Sequence, residues 1–396
     1  MAIIHRSRIA SALSRLPLTS AVIGPPRGYC SDISRLSAAE CRLLGVLKPA
    51  RRMVHGIPDL GEFPDVAARI HSGFASRAEP AQCLYSLPDA RVVGGHFGNG
   101  IITRKDRFLL DQHEDFGQPL DGHPIRTVIK LPALRRLSGT SLSLLARWSD
   151  NYWHWLYDVL GKLLLLRDPP GRLPAADHFL VSNIGAATYK MQSLQSLGVD
   201  PACVVDVGAR SHLRCDNLLV AGRHCGNPYP EQDVIDALRK AFQAPAGEAS
   251  GGGRIYVSRS KATSRRIANE SGLEAVLSEF GFRKVFLEDM DFMAQIRVFQ
   301  ECAAVFCQHG AGLANLVFAR PGTAVFELFE PEFVNPCYAF LSHKLGLRYH
   351  MLFSTGSRRP EVTFHWEGIP ETVAVDPGMV RSVLAQAART HDWHSV

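Results

Sequence analysis

The chain has 396 residues, is 46% hydrophobic and 21% charged, and carries a net charge of +6. That length favours two or three domains of ordinary size, and the balance is that of a soluble globular protein. No run of about 18 apolar residues is present, so no membrane-spanning helix is expected. The scattered Lys and Arg lack the basic stripe of a nucleic-acid binder, although the positive balance favours an anionic ligand. Nine cysteines with no CxxC pair read as reduced thiols of a cytosolic protein.

Residues 1–31 hold Arg6, Arg8, Arg15 and Arg27 and no acidic residue. They read as part of a basic flexible tail over 1–35, with a transit peptide or a weak membrane-surface segment as alternatives. From 80 to 147, "ARVVGGHFGNGIIT", "RFLLD" and "TSLSLLARW" predict strands joined by tight turns. "NYWHWLYDVLGKLLLL" (151–166) predicts a helix, Leu-rich at its far end and aromatic at its start. "HFLVS", "CVVDV" and "NLLVAG" predict strands, and 186–197 and 230–243 predict helices. "APAGEASGGG" (244–253) predicts a flexible linker.

Beyond it strand and helix alternate regularly. "RIYVS", "KVFLE", "AAVFC", "TAVFELF" and "RYHMLF" predict strands. Residues 269–282, 291–302, 309–319, 337–346 and 377–391 predict helices. Short connections between them indicate a parallel sheet covered by helices, with ligands beyond the strands' carboxyl ends. The predicted organisation is a tail over 1–35, an acceptor-side α/β domain over 36–243 and the linker over 244–253. A Rossmann-like domain over 254–376 and a C-terminal helix or tail over 377–396 complete it.

Three constellations point to chemistry. In "FCQHGAGLAN" a strand ends at Cys307, and His309, Gly310 and Gly312 form a tight turn into a helix. Glycine admits close backbone approach and a helix N-terminus offers N–H groups, a combination suited to a diphosphate. A Gly turn needed only for packing is the bland alternative. Arg259, Lys261, Arg265 and Arg266 follow the strand "RIYVS", where Arg can grip phosphate oxygens. A solvated basic loop would look the same. His154 and Asp158 lie four apart on one helix face, where either can serve as a general base. They can also be a bonded core pair with Trp153 and Trp155 as packing, or two ligands of a metal. The Asp289-Met290-Asp291 triplet resembles a metal-binding DxD but falls where Asp commonly caps a helix.

"NYWHWLYD", "YVSRSKATSRRIANE" and "FLEDMDFMAQIRVFQECAAVFCQHGAGLANLVFARPGTAVFELF" together resemble glycosyltransferase family 61. The resemblance covers roughly residues 140–353. The family includes plant β-1,2-xylosyltransferases, animal O-linked GlcNAc transferases and bacterial capsular polysaccharide proteins. The resemblance implies a GT-B fold, α/β with two Rossmann-like halves facing a cleft. It implies a nucleotide-sugar donor, usually UDP-linked, and inversion at the anomeric carbon. Residues matching the donor side are Arg259, Arg266, Asn269, Glu270, His309, Gly310, Ala311, Gly312, Asn315 and Glu327. Tyr152, His154 and Asp158 match the acceptor side, with Trp153 and Trp155 beside them.

The resulting expectation is an inverting glycosyltransferase of the bacterial capsule-like branch, acting on a glycan or lipid-linked hydroxyl in polysaccharide biosynthesis. Asp158 is the first choice as base and His154 the second. Arg259, Arg266, His309 and the N–H groups of Gly310–Gly312 stabilise the leaving diphosphate. No cofactor, metal or nucleic acid is expected. The expected location is cytoplasmic or peripheral to the inner membrane face through the basic N-terminus. The alternatives are a non-catalytic nucleotide-sugar-binding protein, and a metal-dependent phosphoesterase or DxD transferase.

Overall fold

β-branched and aromatic runs broken by Gly, Asp and Asn give the described residues a nine-stranded and a five-stranded sheet, with two two-stranded sheets besides. The computed structural model describes residues 26–54, 60, 63, 65–68, 76–79, 81–94, 100–110, 125, 128, 130–146, 148–168, 173–221, 231–243, 252–331, 333–355 and 372–390. Residues 1–25 of the predicted tail and 244–251 of the predicted linker lie outside these. The chain divides into two units, one of Met1–Arg51 with Ala78–Asn227, the other of Arg52–Arg77 with Pro228–Val396.

The first unit carries β1 (Gly28–Cys30), β2 (Arg42–Lys48), β5 (Gln82–Val93), β6 (Gly100–Ile102), β7 (Arg107–Leu109), β8 (Arg135–Ser143), β9 (His178–Val181), β10 (Val204–Asp206) and β11 (His212–Ala221). The intervening β3 (Arg51–Val54) and β4 (Ser76–Glu79) form a two-stranded sheet of their own. The large sheet runs β1-β7-β6-β5-β11-β8-β9-β10, with β2 also on β5. Only β11, β8, β9 and β10 form a continuous parallel stretch, while β2, β6 and β11 all meet β5 antiparallel. This half therefore departs from the expected Rossmann-like form. The turn at 103–106 favours antiparallel pairing of β6 with β7, and β1 adds parallel to β7. That pairing also shortens the predicted tail, because residues 28–30 are sheet.

Leu87, Val92, Ile101, Leu180, Cys215 and Leu218 build one core of this unit. Glu40 closes its edge with both carboxylate oxygens engaged. Burial opposes its ionisation, yet hydrogen bonds from Arg107, Ser37 and Thr103 and the Arg107 charge win and hold its pKa at about 2. A depressed folded pKa stabilises above the unfolded value of about 4.3 and loses that support as pH falls toward 2. Acid titration should therefore show Glu40→Gln losing less stability between pH 5 and pH 2 than the wild type, read as melting temperature; equal acid sensitivity of the two would remove Glu40 from the account.

The second unit holds β12 (Gly253–Val257), β13 (Arg266–Ile267), β14 (Phe282–Val285), β15 (Cys302–Gln308), β16 (Ala324–Phe329), β17 (Arg348–Phe353) and β18 (Thr372–Val373). Its five-stranded sheet runs β14-β12-β15-β16-β17 with every pairing parallel. Counted from β12 this is the doubly wound 2-1-3-4-5 order, whose direction of winding reverses between β12 and β15.

Helices among the described residues include α1 (Tyr152–His154), α2 (Gly161–Arg167), α3 (Thr188–Ser196), α4 (Gln232–Ala241), α5 (Glu270–Glu279), α6 (Phe292–Glu301), α7 (Cys337–Leu345) and α8 (Pro377–Thr390). Two boundaries move. Helix α4, expected in the N-terminal domain, belongs to the second unit. Its Arg239 guanidinium donates to the carbonyls of Val317 and Ala319, and Phe242 packs on Phe292 and Phe318. Helix α8 is no tail. Val380, Leu384 and Ala387 enter one core with Tyr256, Leu273, Phe306 and Phe326. Burying Val380 and Leu384 contributes about 1.5–3 kcal/mol each, so the C-terminal domain extends past 376. Gly253, the last residue of the predicted linker, already starts β12. Among the described residues no helix is long and apolar enough to cross a membrane.

Candidate active site

The winding reversal leaves a crevice outside the carboxyl ends of β12 and β15. Residues 258–269 follow β12 and residues 309–312 follow β15, so the two motifs singled out by sequence meet at the switch point. Arg259 lies over Gly310. A Cβ on Gly310 would fall 2.2 Å from the Arg259 Nη1 atom. The guanidinium is steadied by the carbonyls of Ser264 and Arg265. Gly310 is extended, at φ −178, so it is required here for space and not for its dihedral freedom. Gly310→Ala should displace Arg259 while leaving the strands intact. The expected result is weaker pyrophosphate affinity at an unchanged melting temperature, read by titration calorimetry; unchanged affinity would remove Arg259 from anion binding.

The predicted helix after Gly310 is a 3-10 helix, Ala311–Phe318. Eight residues is long for this tighter winding, and such stretches often mark functional segments. Leu313 N–H bonds the Gly310 carbonyl, so the preceding N–H groups at Ala311 and Gly312 lie ahead of the helical ladder. They point to anion binding as an α-helix start would. Leu313 through Phe318 are all buried. Asn315 is among them, its amide donating to Gly312 O at 3.2 Å, so this predicted donor ligand holds the turn from behind.

Pleat alternation places Cys307, His309, Glu327 and Tyr349 on one side of the sheet. His309 Nδ1 and Glu327 Oε1 are 2.5 Å apart, and Tyr349 Oη donates to the other Glu327 oxygen. The imidazole stacks on Phe329 and meets Phe333 and Tyr338, which fix its plane. Burial drives His309 well below the usual histidine pKa, assisted by the Arg265 and Arg259 charges. Burial drives Glu327 well above the carboxylate range. Both groups therefore favour their uncharged forms, in which a Glu327 hydroxyl can donate to Nδ1 and leave the imidazole hydrogen on Nε2. Glu327 thus stands behind His309, as a support for it.

Arg266, predicted to grip the diphosphate, is exposed in the short strand β13. Its neighbour Arg265 is the buried one, at φ +55, close enough to shift both His309 and Glu330. Sequence gave no signal for this swap, because the left-handed turn that turns Arg265 inward has no glycine marking it. Asn269 and Glu270 are likewise supports. The Asn269 amide clasps the Val375 backbone at both ends. Glu270 accepts from Tyr256 and Ser258 and pairs with Lys284. The DxD carboxylates are engaged too, Asp289 with Lys261 at 2.5 Å and Asp291 as the cap of α6. Among the described residues no group of three His, Cys, Asp or Glu is arranged to hold a metal ion.

The first unit contributes a second cluster. After the carboxyl end of β8, Asn151 caps a helix that starts as α1, widens to a π-helix over Trp155–Leu160 and resumes as α2. π-Turns inside helices occur frequently at functional sites. His154 Nδ1 and Asp158 Oδ2 are 2.7 Å apart, with side-chain exposures of 24% and 12%. Trp155 is fully buried and donates from Nε1 to Ser193 Oγ at 2.8 Å. Trp153 packs on Tyr157, and Tyr152 on Tyr189. Trp153, Trp155 and Tyr152 are therefore walls of this site and not its surface. The exposed aromatic is Trp148, outside the predicted helix, whose ring meets that of His154 at 5.3 Å. Asp150 supports the turn by bonding the buried Lys190 at 2.6 Å.

The second unit is thus a doubly wound α/β unit with an arginine and a histidine at its switch point. Residues 152–326 match the family model described as Glycosyltransferase 61. A 72-residue stretch, 18% of this chain, is 35% identical to a β-1,2-xylosyltransferase of Arabidopsis thaliana. A 68-residue stretch, 17% of this chain, is 40% identical to the β-1,2-xylosyltransferase RCN11 of Oryza sativa subsp. japonica. A 97-residue stretch, 24% of this chain, is 32% identical to an EGF domain-specific O-linked N-acetylglucosamine transferase of Drosophila melanogaster. These matches span only 14%, 13% and 18% of the respective relatives.

Proposed function

We propose that the protein is an inverting glycosyltransferase that moves a sugar from a nucleotide-sugar, in first place a UDP-sugar, to a glycan hydroxyl. The observation that carries this reading is Arg259 lying over Gly310 beside His309, at the switch point of a 2-1-3-4-5 sheet. The match to the Glycosyltransferase 61 model and the transferase names of the similar proteins support it.

In this mechanism the diphosphate lies against Arg259, the Ala311 and Gly312 N–H groups and the His309 Nε2–H. These fixed donors stabilise the charge that develops as the anomeric C–O bond breaks. The acceptor oxygen forms the new bond from the opposite face, and its proton goes to the His154–Asp158 pair. The 2.7 Å contact through Nδ1 favours His154 Nε2 as the base, with Asp158 fixing the ring, the reverse of the order expected from sequence.

The test is a thermal-shift titration with UDP, GDP, CMP, ADP and dTDP, with and without EDTA, beside an Arg259→Ala control. A ligand at 100 times its dissociation constant adds about 2.7 kcal/mol. A shift selective for UDP, insensitive to EDTA and lost in the control, is the expected outcome. A folded protein that responds to none of the five overturns the reading, and a response that needs divalent ion returns the metal-dependent alternative.

A further inference from the structure

Trp148 is 51% exposed and has a backbone φ of +53. Both facts are unusual. A bulky residue in the left-handed region is an outlier, and such strain concentrates at binding and catalytic sites. The turn is held by the Asn151 N–H on the Trp148 carbonyl at 2.8 Å, which fixes the tryptophan directly before α1. Its ring meets His154 edge-on, at 5.3 Å and 63°, and His154 is bonded to Asp158. A broad aromatic surface thus stands beside the His154–Asp158 pair.

Resting on the transferase reading above, we propose that Trp148 is a stacking platform for a pyranose ring of the acceptor, which makes the acceptor a carbohydrate chain and not a lipid or peptide hydroxyl. A sugar ring presents one face of C–H groups and a rim of hydroxyls. The negative face of an indole attracts the former, while the rim keeps its water or finds polar groups. Stacking there brings a rim hydroxyl toward the imidazole. The buried Trp153 and Trp155 leave no comparable surface in this cluster.

The test uses the full chain labelled with 5-fluorotryptophan, whose five tryptophans give separate ¹⁹F signals. Trp148→Phe assigns the signal and keeps an aromatic face; Trp148→Ala removes it. Cellohexaose, xylohexaose, mannohexaose and chitohexaose are the probes, with UDP, GDP, CMP, ADP and dTDP titrated in parallel. At least one glycan should move the Trp148 signal. Trp148→Ala should weaken that glycan by at least about tenfold, Trp148→Phe much less, and both should bind UDP as the wild type does. Silence of the Trp148 signal toward all four glycans, or binding that survives Trp148→Ala, overturns the platform. A UDP response with a silent Trp148 defeats the platform alone. A responsive Trp148 with no response to UDP, GDP, CMP, ADP or dTDP defeats the transferase reading and leaves a carbohydrate site.

Discussion

Asp158→Asn should lower turnover by a factor of about 10²–10⁴, with UDP affinity unchanged. Asp158 is 9% exposed and hydrogen-bonded to His154 Nδ1, so the amide fits its space. What changes is the proton. The carboxylate accepts from Nδ1–H and leaves Nε2 free to take the acceptor's proton. The amide can present its N–H₂ to Nδ1 and force the hydrogen onto Nε2, where no proton can then be accepted. His154→Ala should cost as much, and the double variant no more than either single one, because the two act as a unit. UDP release from a UDP-sugar in the presence of acceptor measures all three. Full turnover by His154→Ala would assign the proton to Asp158 alone; full turnover by Asp158→Asn would dissolve the dyad.

Removing Glu327 should be the largest stability loss in the second unit. Glu327→Ala leaves His309 Nδ1 and the Tyr349 hydroxyl without their partner, in a place where Glu327 itself is 0% exposed. Each orphaned buried group costs about 1–3 kcal/mol, and a cavity adds to it. Glu327→Gln can donate to Nδ1 and accept from Tyr349, so it should melt close to the wild type. Its amide N–H takes the place of the carboxyl hydroxyl on Nδ1, so the hydrogen stays on His309 Nε2 and UDP binding should match the wild type. Calorimetric melting separates the two variants. Equal stability of Glu327→Ala and wild type would show that the pair carries no load.

The second unit was legible because its strands are uninterrupted apolar runs with short connections. "TAVFELF" and "RYHMLF" can be little else. The first unit was less so. Its antiparallel pairings depend on which strands meet β5, a twelve-residue strand, and pairing partners far apart in sequence leave no local mark. The motifs were found, but depth was not. Asn269, Glu270, Asn315 and Glu327 carry the same polar side chains whether they face a ligand or hold a loop from behind. Only burial and hydrogen-bond partners separate the two, as they separate Arg265 from Arg266. Trp148 escaped notice for another reason. It ends the predicted strand "TSLSLLARW", whereas β8 stops at Ser143, and its left-handed backbone is invisible in a one-letter code.

The π-helical stretch Trp155–Leu160 makes the length of this helix a fixed quantity. Gly161 N–H reaches back to the Leu156 carbonyl, one residue further than α-helical spacing. The extra residue turns the following chain by about 100° relative to an uninterrupted helix. That offset lets His154 and Asp158 serve one surface while Leu163 and Leu166, both 0% exposed, serve the core. Deleting a single residue between 155 and 160 would restore regular winding and force a choice between them. Point substitutions here can be absorbed by repacking, whereas a one-residue change in length cannot.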